Sequence, residues 1–342
     1  MIHAPDHLFY SQAWLGSQDD LVYSPAAMSR ERTVRAFAPA TVSNVACGFD
    51  VLGFAIDEPG DEVAAELSPE PGVVLAEVTG DGGRLPRDPE KNTAGVAVRA
   101  LLDAVGEDRG VVLRLRKNMP LSSGLGSSAA SAVAAVWAAN RLLELDAPHD
   151  VLLRCAMAGE AVASGSAHPD NAAPCLYGGF VLIRQADPPE VIPLPIPEGL
   201  SCAVIRPHIE VETRMARQLL GDVVPLRAAV TQWGNLAGLV AGLFKSDLEL
   251  ISRSLEDVVV EPKRSVLVPG FAAAKRAALD HGALGSSLSG SGPSTFALCA
   301  DRGVAERVAD AMVAAFAAEG LTSDRIVSAV GARGVRELGG QS

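Results

Sequence analysis

The run Gly124-Leu-Gly126-Ser127-Ser128-Ala129-Ala130 has the residue types and order of a phosphate cradle. A β-branched and apolar run, Val111 to Leu115, leads in, and an alanine-rich run without Pro or Gly leads out, which predicts strand, glycine loop, helix. Glycines carry no Cβ, so the backbone can take unusual dihedrals and come close to a ligand. Ser127 and Ser128 fall where the helix begins, with unpaired N–H groups and the positive end of the dipole facing whatever binds. The same residues satisfy the dinucleotide fingerprint GxGxxA, which alone is a weak signal. That fingerprint wants a strand running straight into the first glycine and an acid ending a second strand about twenty positions on. Here Met119-Pro-Leu-Ser-Ser123 intervenes, and Glu144 and Asp146 end a continuing helical pattern. No Lys-Ser/Thr follows the glycines, so it is not a Walker A loop. A tight turn that merely packs a helix is the bland alternative; a nucleotide phosphate loop of a third kind fits better.

Other stretches hold polar residues with chemical capacity. Asp50 ends a loop of small residues, Ala38 to Gly53, and could simply close a turn. Glu160 stands in an otherwise apolar helical pattern from Val151 to Gly165, where an acid is either surface-facing or a ligand for a cation. His168, Asp170 and Asn171 sit between prolines in His168-Pro-Asp-Asn-Ala-Ala-Pro174, easily positioned for a site and equally able to form turns. Thr213-Arg-Met-Ala-Arg217 opens a helix with Thr213 as its predicted N-cap. Glu261-Pro-Lys-Arg264 follows, then a second glycine-serine loop, Ser289 to Ser294, between strand-like Ala283–Leu288 and Thr295–Cys299. A plain hairpin turn would also explain that loop.

The elements that must position these residues alternate along the chain. Strands are predicted at Thr33–Phe37, Val51–Ile56, within Val63–Val78, at Phe180–Arg184, Ala203–Ile205 and Ile326–Val330. Helices are predicted from the N-cap Asn92 to Ala104, after Pro148 in the first turn, and over Leu226–Phe244, Asp247–Leu255 and Val304–Ala318. At 342 residues one hydrophobic core is near its limit, so two domains are expected, with a boundary near Pro197 in the Pro-rich stretch Pro188 to Pro197. No uninterrupted apolar run approaches membrane-span length. A net charge of −12 argues against a nucleic-acid surface, and any phosphate site must therefore be locally basic. The five cysteines are scattered without metal-like spacing, which suits reduced thiols and a cytoplasmic protein. Met1 to Arg32 lacks a period and the pattern of a signal peptide, and is expected to be a disordered or non-native extension. Removing residues 1 to 27 should leave stability and activity intact.

Three motifs in order then resemble one family. Pro120 to Ala130 resembles the ATP motif of the GHMP kinases, Ser289-Gly-Ser-Gly-Pro-Ser294 their third motif, and Pro39 to Asn44 with Gly48-Phe49-Asp50 their first. The resemblance runs from about Thr33 to the end of the chain. It implies an α+β two-domain GHMP kinase fold. Residues 33–196 would form an N-terminal α/β domain with a left-handed βαβ crossover, against the usual preference. Residues 197–342 would form a C-terminal ferredoxin-like α+β domain, with ATP and acceptor between the two. His168 to Pro174, Thr213 to Arg217, and Glu261 to Arg264 with Pro269-Gly-Phe271 resemble the branch that phosphorylates the L-homoserine hydroxyl with MgATP, on the way to threonine.

By that resemblance the nucleotide lies on Pro120, Leu121, Ser122, Ser123, Gly124, Leu125, Gly126, Ser127, Ser128, Ala129 and Ala130, with Asn92 and Lys117 reaching it. For Lys117 a solvated surface charge is an equal alternative. Ser128 and Glu160 match magnesium ligands, and hard oxygen donors are what Mg²⁺ prefers. Arg217 and Arg264 would take the substrate carboxylate, since arginine can meet it with two parallel hydrogen bonds. Asn44, Asp50 and Asn171 would hold its amino and hydroxyl ends, with Asp170, Thr213, Ser291 and Gly292 completing the acceptor site. Relatives that act on other acceptors place an aspartate as base where Asn171 stands. The expectation is therefore direct in-line transfer without a strong base, with Asn171, Glu160 and Ser128 as the catalytic set; a part for Asp170 in proton transfer stays open. The expected partners are ATP and L-homoserine, without nucleic acid or membrane; a homodimer is left open. Another small-molecule kinase of the family, a nicotinamide-dependent dehydrogenase and a non-catalytic phosphate-binding regulator are the alternatives.

Overall fold

The computed structural model describes residues 32–165 and 168–339. The expectation for Met1 to Arg32 therefore lies almost wholly outside the described residues. The chain runs β1 (Val34–Ser43), β2 (Leu52–Ser68), β3 (Val73–Thr79), α1 (Thr93–Val105), β4 (Gly110–Arg116), α2 (Ser127–Leu143), α3 (His149–Ser164), α4 (Pro169–Tyr177), β5 (Phe180–Ala186) and β6 (Pro189–Leu194). It continues with β7 (Ser201–Pro207), α5 (Thr213–Gln218), α6 (Leu226–Lys245), α7 (Leu248–Ser254), α8 (Glu261–Arg264), α9 (Phe271–Asp280), β8 (Gly285–Leu288), β9 (Thr295–Cys299), α10 (Arg302–Ala318), β10 (Ser323–Ala329) and β11 (Arg336–Glu337).

Two sheets organise these elements. The first has seven strands in the order β11-β1-β2-β4-β3, with β5 on the start of β2 and β6 on β5. β2 is a single strand of 17 residues where sequence patterning expected separate strands; its first residues pair with β5 and its last seven with β4. β3 and β4 pair in parallel, which requires a crossover, and α1 supplies it. The second sheet, β10-β7-β9-β8, is antiparallel throughout. Its strand order is that of a ferredoxin-like βαββαβ unit with α9 and α10 as its helices, and α5 to α8 are inserted between β7 and α9. β11 carries the chain back to the first sheet.

The Pro-rich stretch holds the strand β6, whose prolines are tolerated because β6 pairs only with β5, at a sheet edge. Three local expectations change. His168 to Pro174 forms the helix α4, which starts with Pro169 and keeps Pro174 inside. Thr213 is the first residue of α5 and Glu212 is its cap. Pro148 is the residue capping α3, whose first turn begins at His149.

Helix α2 explains why the glycine loop before it is so firmly placed. From Ala129 to Ala139 it is buried on nearly every face, the behaviour of a helix apolar all round. Alanines allow α1, α3 and both long strands to approach it closely, so the helix start cannot drift. A second cluster, with Phe271, Met312 and Phe316 prominent, fills the space between the second sheet and α9 and α10.

Candidate active site

The loop from Ser122 to Gly126 is held by its carbonyls. Ser123 O accepts from Ser294 N at 3.2 Å, Gly124 O from Ser289 Oγ at 2.7 Å, and Leu125 O from Thr41 N at 3.1 Å. In a trans peptide the N–H points opposite to the C=O, so the N–H groups of Gly124 and Gly126 turn away from these anchors. Both glycines have positive φ, 76° and 69°. A Cβ on Gly124 would meet Ser289 O at 2.5 Å, and one on Gly126 would meet Thr41 Oγ1 at 2.4 Å and Asn171 Oδ1 at 2.8 Å. The side chains of Leu125, Ala129 and Ala130 lie in the core, and neither they nor Pro120 and Gly292 line the cavity.

Lys117 is no solvated surface charge. Its side chain is 1% exposed, and the ammonium pairs with Asp61 and lies within hydrogen-bond distance of Ser127 O at 2.8 Å, Ser127 Oγ at 2.7 Å and Ser131 Oγ at 2.9 Å. Asp61 also accepts from Asn118 N and Met119 N, at 3.0 and 3.1 Å. One buried ion pair thus ties β2 to both ends of the glycine loop. Asp61 was not singled out in the sequence; an acid inside an alternating strand pattern, Gly60-Asp61-Glu62-Val63, was the available signal.

Beside the helix start, the Ser128 hydroxyl and the buried Glu160 carboxyl line the same part of the cavity. Burial pushes Glu160 up from 4.5 to about 7, against the lowering effect of Ser128. Two hard oxygen donors thus face one another where a nucleotide's phosphates would lie. Asn92 caps α1 through Ala94 N at 3.0 Å and also lines this part of the cavity.

The side of the site away from the glycine loop is built on a strained turn. Asn44, Val45, Ala46 and Asp50 all have positive φ, a costly conformation for residues with a Cβ. Asn44 bridges to the second glycine loop through Gly290 O at 2.9 Å and accepts from Asp50 N at 3.1 Å. Arg217 grips the Asp50 carboxylate with both Nη atoms, at 3.0 to 3.3 Å, and His168 Nδ1 is 3.4 Å from the same group. Arg264 is buried, bonded to Ala216 O and Gly290 O, and shifted down by burial and by Arg217. The Phe49 ring lies against both guanidinium groups, 5.4 and 5.0 Å from ring centre to carbon, within cation–π range. Asn171 is fixed by two hydroxyls, accepting from Thr41 Oγ1 at 2.8 Å and donating to Ser43 Oγ at 3.0 Å. Burial and the nearby Asp50 charge raise Asp170 from 3.8 to about 6, opposed by its hydrogen bond with Ser43.

These groups open onto one cavity of about 550 Å³. It gathers Asn44, Asp50, Asn92, Lys117, Leu121, Ser122, Ser123, Gly124, Gly126, Ser127, Ser128, Glu160, Asp170, Asn171, Thr213, Arg217, Arg264 and Ser291. Sequence reasoning did not assign Ser43, Arg84, Lys91 or Glu212, which also line it. Its walls carry six Lys and Arg against four Asp and Glu, so a chain of net charge −12 keeps a basic site. Among the described residues no group of three or more His, Cys, Asp or Glu could hold a metal by itself.

Two family models match, GHMP kinases N terminal domain over residues 92–179 and GHMP kinases C terminal over 239–318. A homoserine kinase of Chlorobium phaeobacteroides is 51% identical over 319 residues, covering 90% of this chain and 100% of the relative. The chain belongs to the GHMP kinase family. Another homoserine kinase, from Xanthomonas campestris, is 43% identical over 93% of this chain and 98% of its own length. The crystal structure of homoserine kinase from Cytophaga hutchinsonii superposes on this GHMP kinase with a TM-score of 0.88, at 52% identity over 91% of this chain and 99% of that one. The two-domain fold expected from the motifs is thus that of the family, and ATP is the phosphoryl donor that the family implies.

Proposed function

We propose that this GHMP kinase phosphorylates the hydroxyl of L-homoserine with MgATP, giving O-phospho-L-homoserine and ADP in threonine biosynthesis. The observation that carries the reading is the Asp50–Arg217 pair, with Arg264 beside it, in the same cavity as the phosphate loop. A zwitterionic amino acid needs cations for its carboxylate and an anion for its ammonium, and here both stand together. An acceptor without a carboxylate would leave the placing of two arginines at one end of the cavity unexplained. The relatives named above carry the same activity in their names.

The acceptor oxygen attacks the γ-phosphorus, the bond to the bridging oxygen of ADP breaks, and the hydroxyl proton leaves with the phosphoryl oxygens or solvent. Such loose transition states need positioning and charge stabilisation more than a base. Asn171, fixed at both ends of its amide, orients the hydroxyl, and the loop N–H groups and α2 dipole meet the phosphoryl charge. Ser128 and Glu160 are the residues that would hold Mg²⁺, which supplies charge neutralisation on the phosphates when bound. The cavity draws residues from both 33–196 and 197–342, which supports a division of the chain into domains that share one site. Work in the cytoplasm agrees with five free, buried cysteines.

A coupled ADP-release assay across homoserine, mevalonate, galactose and shikimate tests the acceptor. Homoserine should turn over fastest, and Arg217→Ala should remove that preference. Faster turnover of mevalonate or galactose would overturn the assignment while leaving the family intact.

A further inference from the structure

Two buried side chains that do not line the cavity, Gln232 and Asp257, tie the turn carrying Asp50 to the segment carrying Arg264. Gln232 is the one polar side chain among the buried residues of α6. A buried amide is costly unless its groups find partners. Its Nε2 donates to Cys47 O at 3.1 Å and to Asp257 Oδ1 at 2.9 Å, and its Oε1 accepts from Val258 N at 3.0 Å. Asp257 accepts in addition from Val259 N and Val260 N, both at 2.9 Å on Oδ1, and from Glu261 N at 2.8 Å on Oδ2.

The partners of this pair are the backbones on either side of the acceptor pocket. Val259 to Glu261 lead directly into α8, whose last residue is Arg264. Cys47 stands between Ala46 and Asp50, both at positive φ, and strained residues of this kind persist only where their surroundings hold them. Asp257 also acts at longer range. With Asp50 and Asp170 it is one of the carboxylates whose charge favours the Arg264 guanidinium against burial. A zwitterionic acceptor fixes the distance between the cation that takes its carboxylate and the anion that takes its ammonium. Misplacing such groups by about 1 Å can cost on the order of 100-fold in rate.

We infer that Gln232 and Asp257 are positioning residues, which set the spacing of Arg264 from Asp50 and so match the site to an amino-acid acceptor. The inference rests on the homoserine reading of that site. Gln232→Met keeps an unbranched side chain of similar size and removes all three hydrogen bonds of the amide. It should raise the KM for L-homoserine about tenfold and leave the KM for ATP unchanged. Asp257→Asn, which keeps the shape and the Gln232 amide but loses the charge, should split the two KM values in the same sense. A residue that only holds the fold would lower the fraction of active protein, and with it kcat, without moving either KM. In an Arg264→Ala background Gln232→Met should add little, because the tie has nothing left to align. An unchanged KM for homoserine in both variants, an equal rise in both KM values, or a full tenfold effect without Arg264 overturns the inference. A wild type that prefers another acceptor overturns the homoserine reading and the inference with it; the preceding results in a wild type that prefers homoserine overturn the inference alone.

Discussion

At Glu160 burial and a hydrogen bond pull in opposite directions, and burial wins. The folded protein therefore favours the protonated acid, while the unfolded chain ionises at 4.5. As pH rises from 4.5 through about 7 the ligand-free protein loses stability, on the order of 3 kcal/mol, and stays at the lower level above that window. Asp170 acts in the same sense between 3.8 and about 6. Urea midpoints should fall between pH 5 and 7.5, and Glu160→Gln should reduce the fall; an unchanged slope in the variant would place the carboxyl in a wetter setting. Arg264→Ala should raise the KM for homoserine about 100-fold, the loss of a charge-assisted pair worth ~2–3 kcal/mol, with little change in ATP affinity. Single residues were legible where an unusual type broke a pattern, as Glu160 did in its apolar helix. Asp61 was silent, and Phe49 was named only within a motif, because their partners, Lys117 for the one and Arg217 and Arg264 for the other, lie far away in sequence and only the fold brings them together.

Among elements, the strand, loop and helix around Gly124 were readable because their signals are local: an apolar run, glycines, then alanines. The helix α4 was not, since two prolines disguised it and burial of Ala172, Ala173 and Cys175 against the first sheet decided its form. The extra length of β2 was hidden for a similar reason, because pairing with three other strands keeps it extended through Pro59 and Gly60. Two outcomes follow from how the loop is held. Gly126→Ala should cost about 1–3 kcal/mol and abolish turnover, because its Cβ collides with Thr41 and Asn171 at a positive φ; differential scanning and a rate assay read both. Lys117→Met should cost about 3–5 kcal/mol by stranding the Asp61 charge, and the double variant Asp61→Leu, Lys117→Met should recover much of that loss. If the double variant melts no higher than the single, the ion pair is not the stabilising unit.

For the whole molecule, the two-sheet division follows from length and the motif order, but the return of β11 to the first sheet left no trace in a two-residue strand. The cavity depends on that arrangement, because Gly290 and Ser291 of the second glycine loop close over Asn44 and Arg264 from the other side. Phosphoryl transfer needs donor and acceptor in line across it. The direct test is ³¹P spectroscopy of purified protein with ATP, Mg²⁺ and L-homoserine. The γ-phosphorus signal should disappear as ADP and a phosphomonoester signal of O-phosphohomoserine grow in equal amounts. Unchanged ATP, or ADP with inorganic phosphate alone, would contradict the transfer.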